Sequence, residues 1–204
     1  MTREVSPAKV DREDLRGMIQ AKYTDVAQDP EMGFHFHTGA PLARMLGYSD
    51  ADLDSLPEAT VASFAGTGNP FAMGKLQPGE TVLDVGSGAG FDTLLAAQQV
   101  GPRGRVHAVD MTDAMLAKTA AGARELGLEN ITTHLAYAES LPLEDGAVDV
   151  VISNGVINLT PDKESAMREI WRVLKPGGRV QLADIIVHKE VDQASKDDIE
   201  LWSG

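Results

Sequence analysis

Asp84 stands just ahead of Gly86, Ser87, Gly88 and Gly90 in the run LDVGSGAGFD. Glycines at this density clear side chains from a turn and let a ligand approach the backbone. An apolar stretch leads in and a helix candidate leads out. That places the turn where open parallel sheets bind ligands, beyond the carboxyl ends of the strands. Two kinds of ligand use such a turn. A dinucleotide asks for G-x-G-x-x-G, with a small third residue and its pyrophosphate on the helix N-terminus. Here the loop reads G-x-G-x-G, Phe91 takes the third place, and Asp84 would repel a pyrophosphate. A cationic ligand without phosphate suits the acid. S-adenosylmethionine, with its ammonium and sulfonium, meets that demand. Asp110 closes the next apolar stretch, 22 residues beyond Gly88, and can accept from both ribose hydroxyls of either ligand.

Other residues could carry chemistry. His35 and His37 form an H-x-H pair in GFHFHTG. On a strand both rings would share one face, as a general base or a metal pair would require. In a loop between helices they are packed or exposed imidazoles, and that reading is preferred. No acidic ligands sit at a metal spacing nearby, so no metal is expected. His107 and His134 fall within strand candidates and are expected to be structural, and His188 to lie at the surface. Asn158 either shapes the acceptor side of the pocket or makes local backbone bonds. Asp184 ends an apolar stretch without an assigned role. Trp171, in EIWRVL, is expected to pack its helix.

The elements that position these residues follow from periodicity. TVLDV (81–85), RVHAVD (105–110), ITTHLA (131–136), VDVVISN (148–154) and GRVQLADIIV (178–187) are strand candidates rich in valine and isoleucine. Helical segments separate them at 92–100, 114–126 and 163–174. Alternation of this kind predicts an α/β doubly wound, mostly parallel sheet. Residues 1–75 read as a helical N-terminal cap, with a helix over 11–27. Pro41 opens a short helix, Ser49 caps the next, and Pro57 ends it. FAGTGNPF reads as a loop, and LQPGE marks the boundary to the α/β domain at 76–204.

Composition narrows the class. The 204 residues carry a formal charge of -13, which disfavours a nucleic-acid partner. There are no cysteines, so disulfides, thiolate metal sites and thiol catalysis are excluded. The absence of thiols fits a cytoplasmic location. No apolar run reaches the ~18 residues of a membrane span, and no membrane partner is expected.

VLDVGSGAG, the acid of VHAVD and LKPGGRV (Leu174 to Val180) together resemble the class I S-adenosylmethionine-dependent methyltransferases over about residues 76–187. A narrower likeness runs from about Tyr48 to Asp184. LGYSDADLDSLPE, GNP, VDMTDAM and ISNGVINLTPDK resemble the arsenite methyltransferase branch. The resemblance implies S-adenosylmethionine as cofactor and S-adenosylhomocysteine as its product. It implies that Asp84 and the loop glycines hold the methionine end, Asp110 the ribose, and Met111 the adenine face. It places Ala138 and Glu139 at the adenine edge, Asn154 near the methyl donor, and Tyr23 as a closure from the N-terminal side. In that branch a cysteine precedes GNP and another follows the SN of the fourth strand, and their thiolates hold trivalent arsenic. Thr67 and Gly155 stand there instead. A hydroxyl and a hydrogen cannot replace soft sulfur ligands, so the expected acceptor is a small molecule other than thiolate-bound arsenite.

Methyl transfer from a cationic sulfur needs positioning more than a fixed base. Tyr23, His35, His37 and Asn158 are therefore only candidates for a catalytic role. The superfamily sheet has two further strands after the fifth. Here the fifth strand would be an edge. Either the chain is a piece of a longer one, the preferred reading, or a homodimer partner covers that edge. Two other functions compete with methyl transfer: a non-catalytic S-adenosylmethionine-binding or assembly module, and a nicotinamide-dependent oxidoreductase.

Overall fold

The computed structural model describes residues 11–29, 37–186 and 188. Helix α1 (Arg12–Gln28) starts at Asp11, whose carboxylate accepts from the backbone N–H groups of Glu13 and Asp14. Three short helices follow: α2 (Gly39–Met45), α3 (Asp50–Asp54) and α4 (Glu58–Ala62). Ser49 caps α3 in a reciprocal capping box with Asp52. A 3-10 turn over Pro70–Met73 then leads to strand β1 (Thr81–Val85). Beyond it run α5 (Phe91–Val100), β2 (Arg105–Asp110), α6 (Asp113–Glu125), β3 (Ile131–Leu135), β4 (Val148–Asn154), α7 (Lys163–Val173) and β5 (Leu174–Ala183).

The strands form one parallel sheet in the order β3-β2-β1-β4-β5. The chain winds outward from β1 to β3, then returns to place β4 on the other side of β1. The carboxyl ends of β1 and β4 therefore flank the point where winding reverses, and a crevice opens there. Both faces of the sheet are covered. Leu83, Val85 and Val151 pack with Ile170 and Val173 of α7 on one face. Val82, Val150 and Ile152 pack with Ala96, Ala97 and Val100 of α5 on the other. Burial on both sides explains why these strands are nearly all apolar.

Helices α2 to α4 do not stand apart. Leu42, Tyr48, Leu53, Leu56 and Phe64 share one apolar cluster with Phe91, Leu94 and Leu95 of α5. Several sequence expectations shift in detail. Pro57 stands one residue ahead of α4 as its N-cap, two residues after α3 has ended at Ser55. Pro41 is the third residue of α2, not the first. Strand β5 begins at Leu174, which pairs with Val148. The ladder then shifts register, and Arg179 pairs with Val150. The KPGG segment forms the irregularity. A Cβ on Gly178 would lie 3.0 Å from the Asp149 carbonyl oxygen, so glycine is what lets the two strands rejoin. Trp171 is 81% exposed and does not pack its helix. The inward stripe of α7 is Ala166, Ile170 and Val173, and Trp171 points off it. The C-terminal IELWSG lies outside the described residues.

Candidate active site

The crevice is built mainly from the ends of β1, β2 and β4. Tight backbone turns leave β1, and Gly86, Gly88 and Gly90 all adopt positive φ, which only glycine takes up without strain. The three do different work. A Cβ on Gly86 would strike Val156 at 2.2 Å, and one on Gly90 would strike Thr119 at 2.8 Å. Gly88 has open space on that side, so its bareness serves the crevice. Its N–H donates to Asp110 Oδ2 at 2.9 Å, while Thr112 N–H donates to Oδ1 at 2.8 Å. These bonds fix the Asp110 carboxylate at the mouth of β2 and oppose the upward pull of burial on its pKa.

Asp84, Gly86, Ser87, Gly88, Asp110, Met111, Ala138, Glu139, Asn154 and Tyr23 all line this one pocket. The sequence had assembled them from five separate stretches. Gly90 lies behind it, at the start of α5. His37 is exposed and away from the pocket, and His35 lies outside the described residues. Asn158 does not line the pocket. Its backbone N–H donates to Asp184, and its Oδ1 is buried without a partner. His107 and His134 contact one another at 3.1 Å across β2 and β3, as structural histidines would. Among the described residues no cluster of three or more acids and histidines could hold a metal.

Asp84 is 2% exposed. Burial, then the neighbouring charge of Asp92, pushes its carboxyl up to about 8, against a hydrogen bond from Thr93. Asp92, in the first turn of α5, is 6% exposed and pushed up to about 6 by burial. Tyr48 Oη donates to Asp92 Oδ1 at 2.6 Å, and Asn154 Nδ2 donates to Oδ2 at 3.0 Å. Asn154 also ties down the loop ahead of GNP. Its Oδ1 accepts from the N–H groups of Thr67 and Gly68, and its Nδ2 donates to the Gly68 carbonyl. A Cβ on Gly155 would sit 2.9 Å from Thr67. The two positions at which the resembled branch carries thiolates thus adjoin here, with no sulfur at either.

Helix α1 crosses the other side of the pocket. Arg16 donates to Glu139 at 3.1 Å and stacks over the Tyr137 ring at 4.7 Å. Gln20 donates to the Met111 carbonyl at 2.7 Å. Tyr23 follows on the same face, its phenol pushed up to about 12 by burial and then by Asp110 and Asp184. Asp92, Tyr48, Arg16 and Gln20 were not foreseen as site residues. Asp92 had a signal, being the first acid after the glycine turn. Tyr48 sits in the LGYSDADLDSLPE stretch, which carries no sign of its contact with Asp92, and Arg16 and Gln20 come from a distant helix with no motif.

The pocket fits the cofactor that the sequence suggests. The hydroxyl of Ser87 is buried, lines it, and has no protein partner among the described residues. A polar ligand would satisfy it. Gly88 leaves room for that ligand against the backbone.

A parallel sheet with this switch point, glycine turn and acid-tipped second strand defines a nucleoside-binding α/β protein. A family model described as "Methyltransferase domain" matches residues 76–204. The chain is 40% identical over 197 residues to an arsenite methyltransferase of Halobacterium salinarum, covering 90% of this chain and 50% of that protein. It is 42% identical over 132 residues to an arsenite methyltransferase of Aquipseudomonas alcaligenes, covering 61% and 38%. Among solved structures, an arsenic (III) S-adenosylmethionine methyltransferase from Chlamydomonas reinhardtii superposes with a TM-score of 0.66 at 39% identity, covering 71% of this chain and 51% of that one. The chain belongs to the class I S-adenosylmethionine-dependent methyltransferases, related to the arsenite methyltransferases but without the cysteines of that family. It spans half or less of the length of these curated relatives.

Proposed function

We propose that this chain carries out methyl transfer from S-adenosylmethionine to a small-molecule acceptor other than thiolate-bound arsenite. The observation that carries the reading is the convergence of Asp84, the Gly86–Gly88 turn and Asp110 on one pocket. When bound, the cofactor supplies a methyl group on a cationic sulfur that leaves as a neutral thioether. Asp84 faces the positive charge of the methionine end, which favours its ionised form against the burial that raises its pKa in the free protein. Ser87 offers a hydroxyl to the cofactor's polar groups, and Asp110 accepts from the ribose. Glu139, with Met111 and Ala138, lies on the adenine side. Tyr23 and α1 limit water access from above. The absence of sulfur at Thr67 and Gly155 removes the ligands that trivalent arsenic would need.

Calorimetric titration with S-adenosylmethionine tests this directly, with NAD as the control. Saturable binding to the parent chain, and at least tenfold weaker binding to Asp110→Ala, is the expected result. A folded chain that ignores S-adenosylmethionine would sink the proposal. Formation of S-adenosylhomocysteine with added acceptors then separates an enzyme from a binding module.

A further inference from the structure

Asp92 is left over when the cofactor's contacts have been assigned, and its surroundings are specific. Its two oxygens each accept one hydrogen bond, from Tyr48 and Asn154. A carboxylate has about four acceptor positions, so both oxygens keep capacity for a further donor. Phe64 and Phe91 line the pocket beside it. Their ring centroids are 4.3 Å apart, and Tyr48 sits edge-on to each at 5.4 and 4.9 Å. The rings close against one another and form an apolar wall beside the acid, so recognition of a cation there falls to the carboxylate, whose charge is weakly screened in such surroundings.

The charge balance of the pocket leads the same way. Its charged lining residues are Asp84, Asp92, Asp110, Glu139 and Arg16. Arg16 pairs with Glu139, which leaves three acids. S-adenosylmethionine carries an ammonium, a sulfonium and one carboxylate, a net single positive charge. The pocket therefore keeps a negative excess with the cofactor in place. A carboxylate or phosphate acceptor would be repelled, and an ammonium would be drawn in.

Resting on the S-adenosylmethionine reading, we infer that the methyl acceptor is a small amine, bound through its nitrogen by Asp92. An ammonium has no free electron pair, so it must lose a proton before it can attack. Asp92 takes that proton. The freed pair forms the N–C bond while the S–C bond breaks and leaves its electrons on sulfur. The proton then passes to solvent, and the methylated product keeps the positive charge. Tyr48 and Asn154, by donating to Asp92, keep it ionised often enough to act near neutral pH. The groups that face Asp92 are Asp84 from β1, Tyr48 from the loop before α3 and Asn154 from β4.

The experiment uses the full chain and reads binding, not turnover. S-adenosylhomocysteine is titrated first. Small amines, alcohols and carboxylates of matched carbon skeleton are then titrated into the loaded protein at pH 7. Amines are expected to bind at least tenfold more tightly than their alcohols, and carboxylates not at all. Asp92→Asn is expected to abolish that preference while leaving S-adenosylhomocysteine affinity within twofold. Equal binding of all three classes, a lead for carboxylates, or no binding by any class overturns the inference while leaving the cofactor reading intact. So does a loss of S-adenosylhomocysteine affinity in Asp92→Asn, which would hand this acid to the cofactor. Failure of the parent chain to bind S-adenosylhomocysteine would instead overturn the functional reading itself, and the inference with it. If Asp92→Asn does not fold, Tyr48→Phe serves. Without the phenol the carboxylate holds its proton more firmly, so amine affinity should fall several-fold and alcohol affinity stay unchanged. An equal fall for both overturns the inference.

Discussion

At the residue scale, Asp84 shows a conflict between stability and ligand binding. Folded, it keeps its proton up to about pH 8; its ordinary value is 3.8. Between these values the folded state holds a proton that the unfolded state has released. Stability therefore falls as pH rises through that window. Asp84→Asn removes the loss. At pH 8.5 it is expected to gain on the order of 1–2 kcal/mol, a rise of roughly 4 °C in Tm, with no gain at pH 4. Thermal denaturation at the two pH values checks the sign, and calorimetry should show cofactor affinity lost in the same variant. The glycines separate likewise. Gly86→Ala should lose stability through its clash with Val156, with a cost of roughly 2 kcal/mol or more. Gly88→Ala meets no protein atom. It should cost only about 1 kcal/mol for its φ, while weakening S-adenosylhomocysteine at least tenfold. Denaturant melts beside calorimetry distinguish the two. Asp84, Asp110 and the turn were legible in the sequence because each sits beside the residues that give it meaning. The bonds of Asp92 to Tyr48 and Asn154 span 44 and 62 residues, and no local pattern announces a contact of that range.

Secondary elements were legible where burial is two-sided. β1 and β4 run as the valine and isoleucine pattern predicts, since both faces of each are buried. Strand β5 was misjudged at its start because Leu174 pairs across a register shift that hydrophobicity does not encode. Helix α4 has no counterpart in the sequence pattern, because a five-residue helix leaves little periodicity. Helix α1 is legible as a helix, and the resemblance implies Tyr23 as a closure of the pocket, but the part of Arg16 and Gln20 is not announced. Its Arg16 and Gln20 bind Glu139 and Met111, 123 and 91 residues away. Arg16→Ala removes an ion pair with a 10% exposed Glu139 side chain and the stacking on Tyr137. S-adenosylhomocysteine is expected to dissociate about tenfold faster from this variant, measured by stopped-flow displacement, with the far-ultraviolet spectrum unchanged.

At the scale of the molecule, the N-terminal helices and the α/β part are joined through α5. Phe64 and Tyr48 pack with Phe91 and Leu94, so the N-terminal helices share buried surface with α5, whose Ala96, Ala97 and Val100 cover the sheet. Unfolding should follow a single transition, and S-adenosylhomocysteine at 100 times its Kd should raise the midpoint by roughly 5–10 °C, from about 2.7 kcal/mol of linkage. Two separated transitions, with only one responding to ligand, would contradict this coupling. Asn154 stands at the seam, joining β4, the Thr67–Gly68 turn, Tyr48 and Asp92 through one amide. Four stretches distant in the sequence are thus gathered by one side chain, and a change at that position would loosen all of them together.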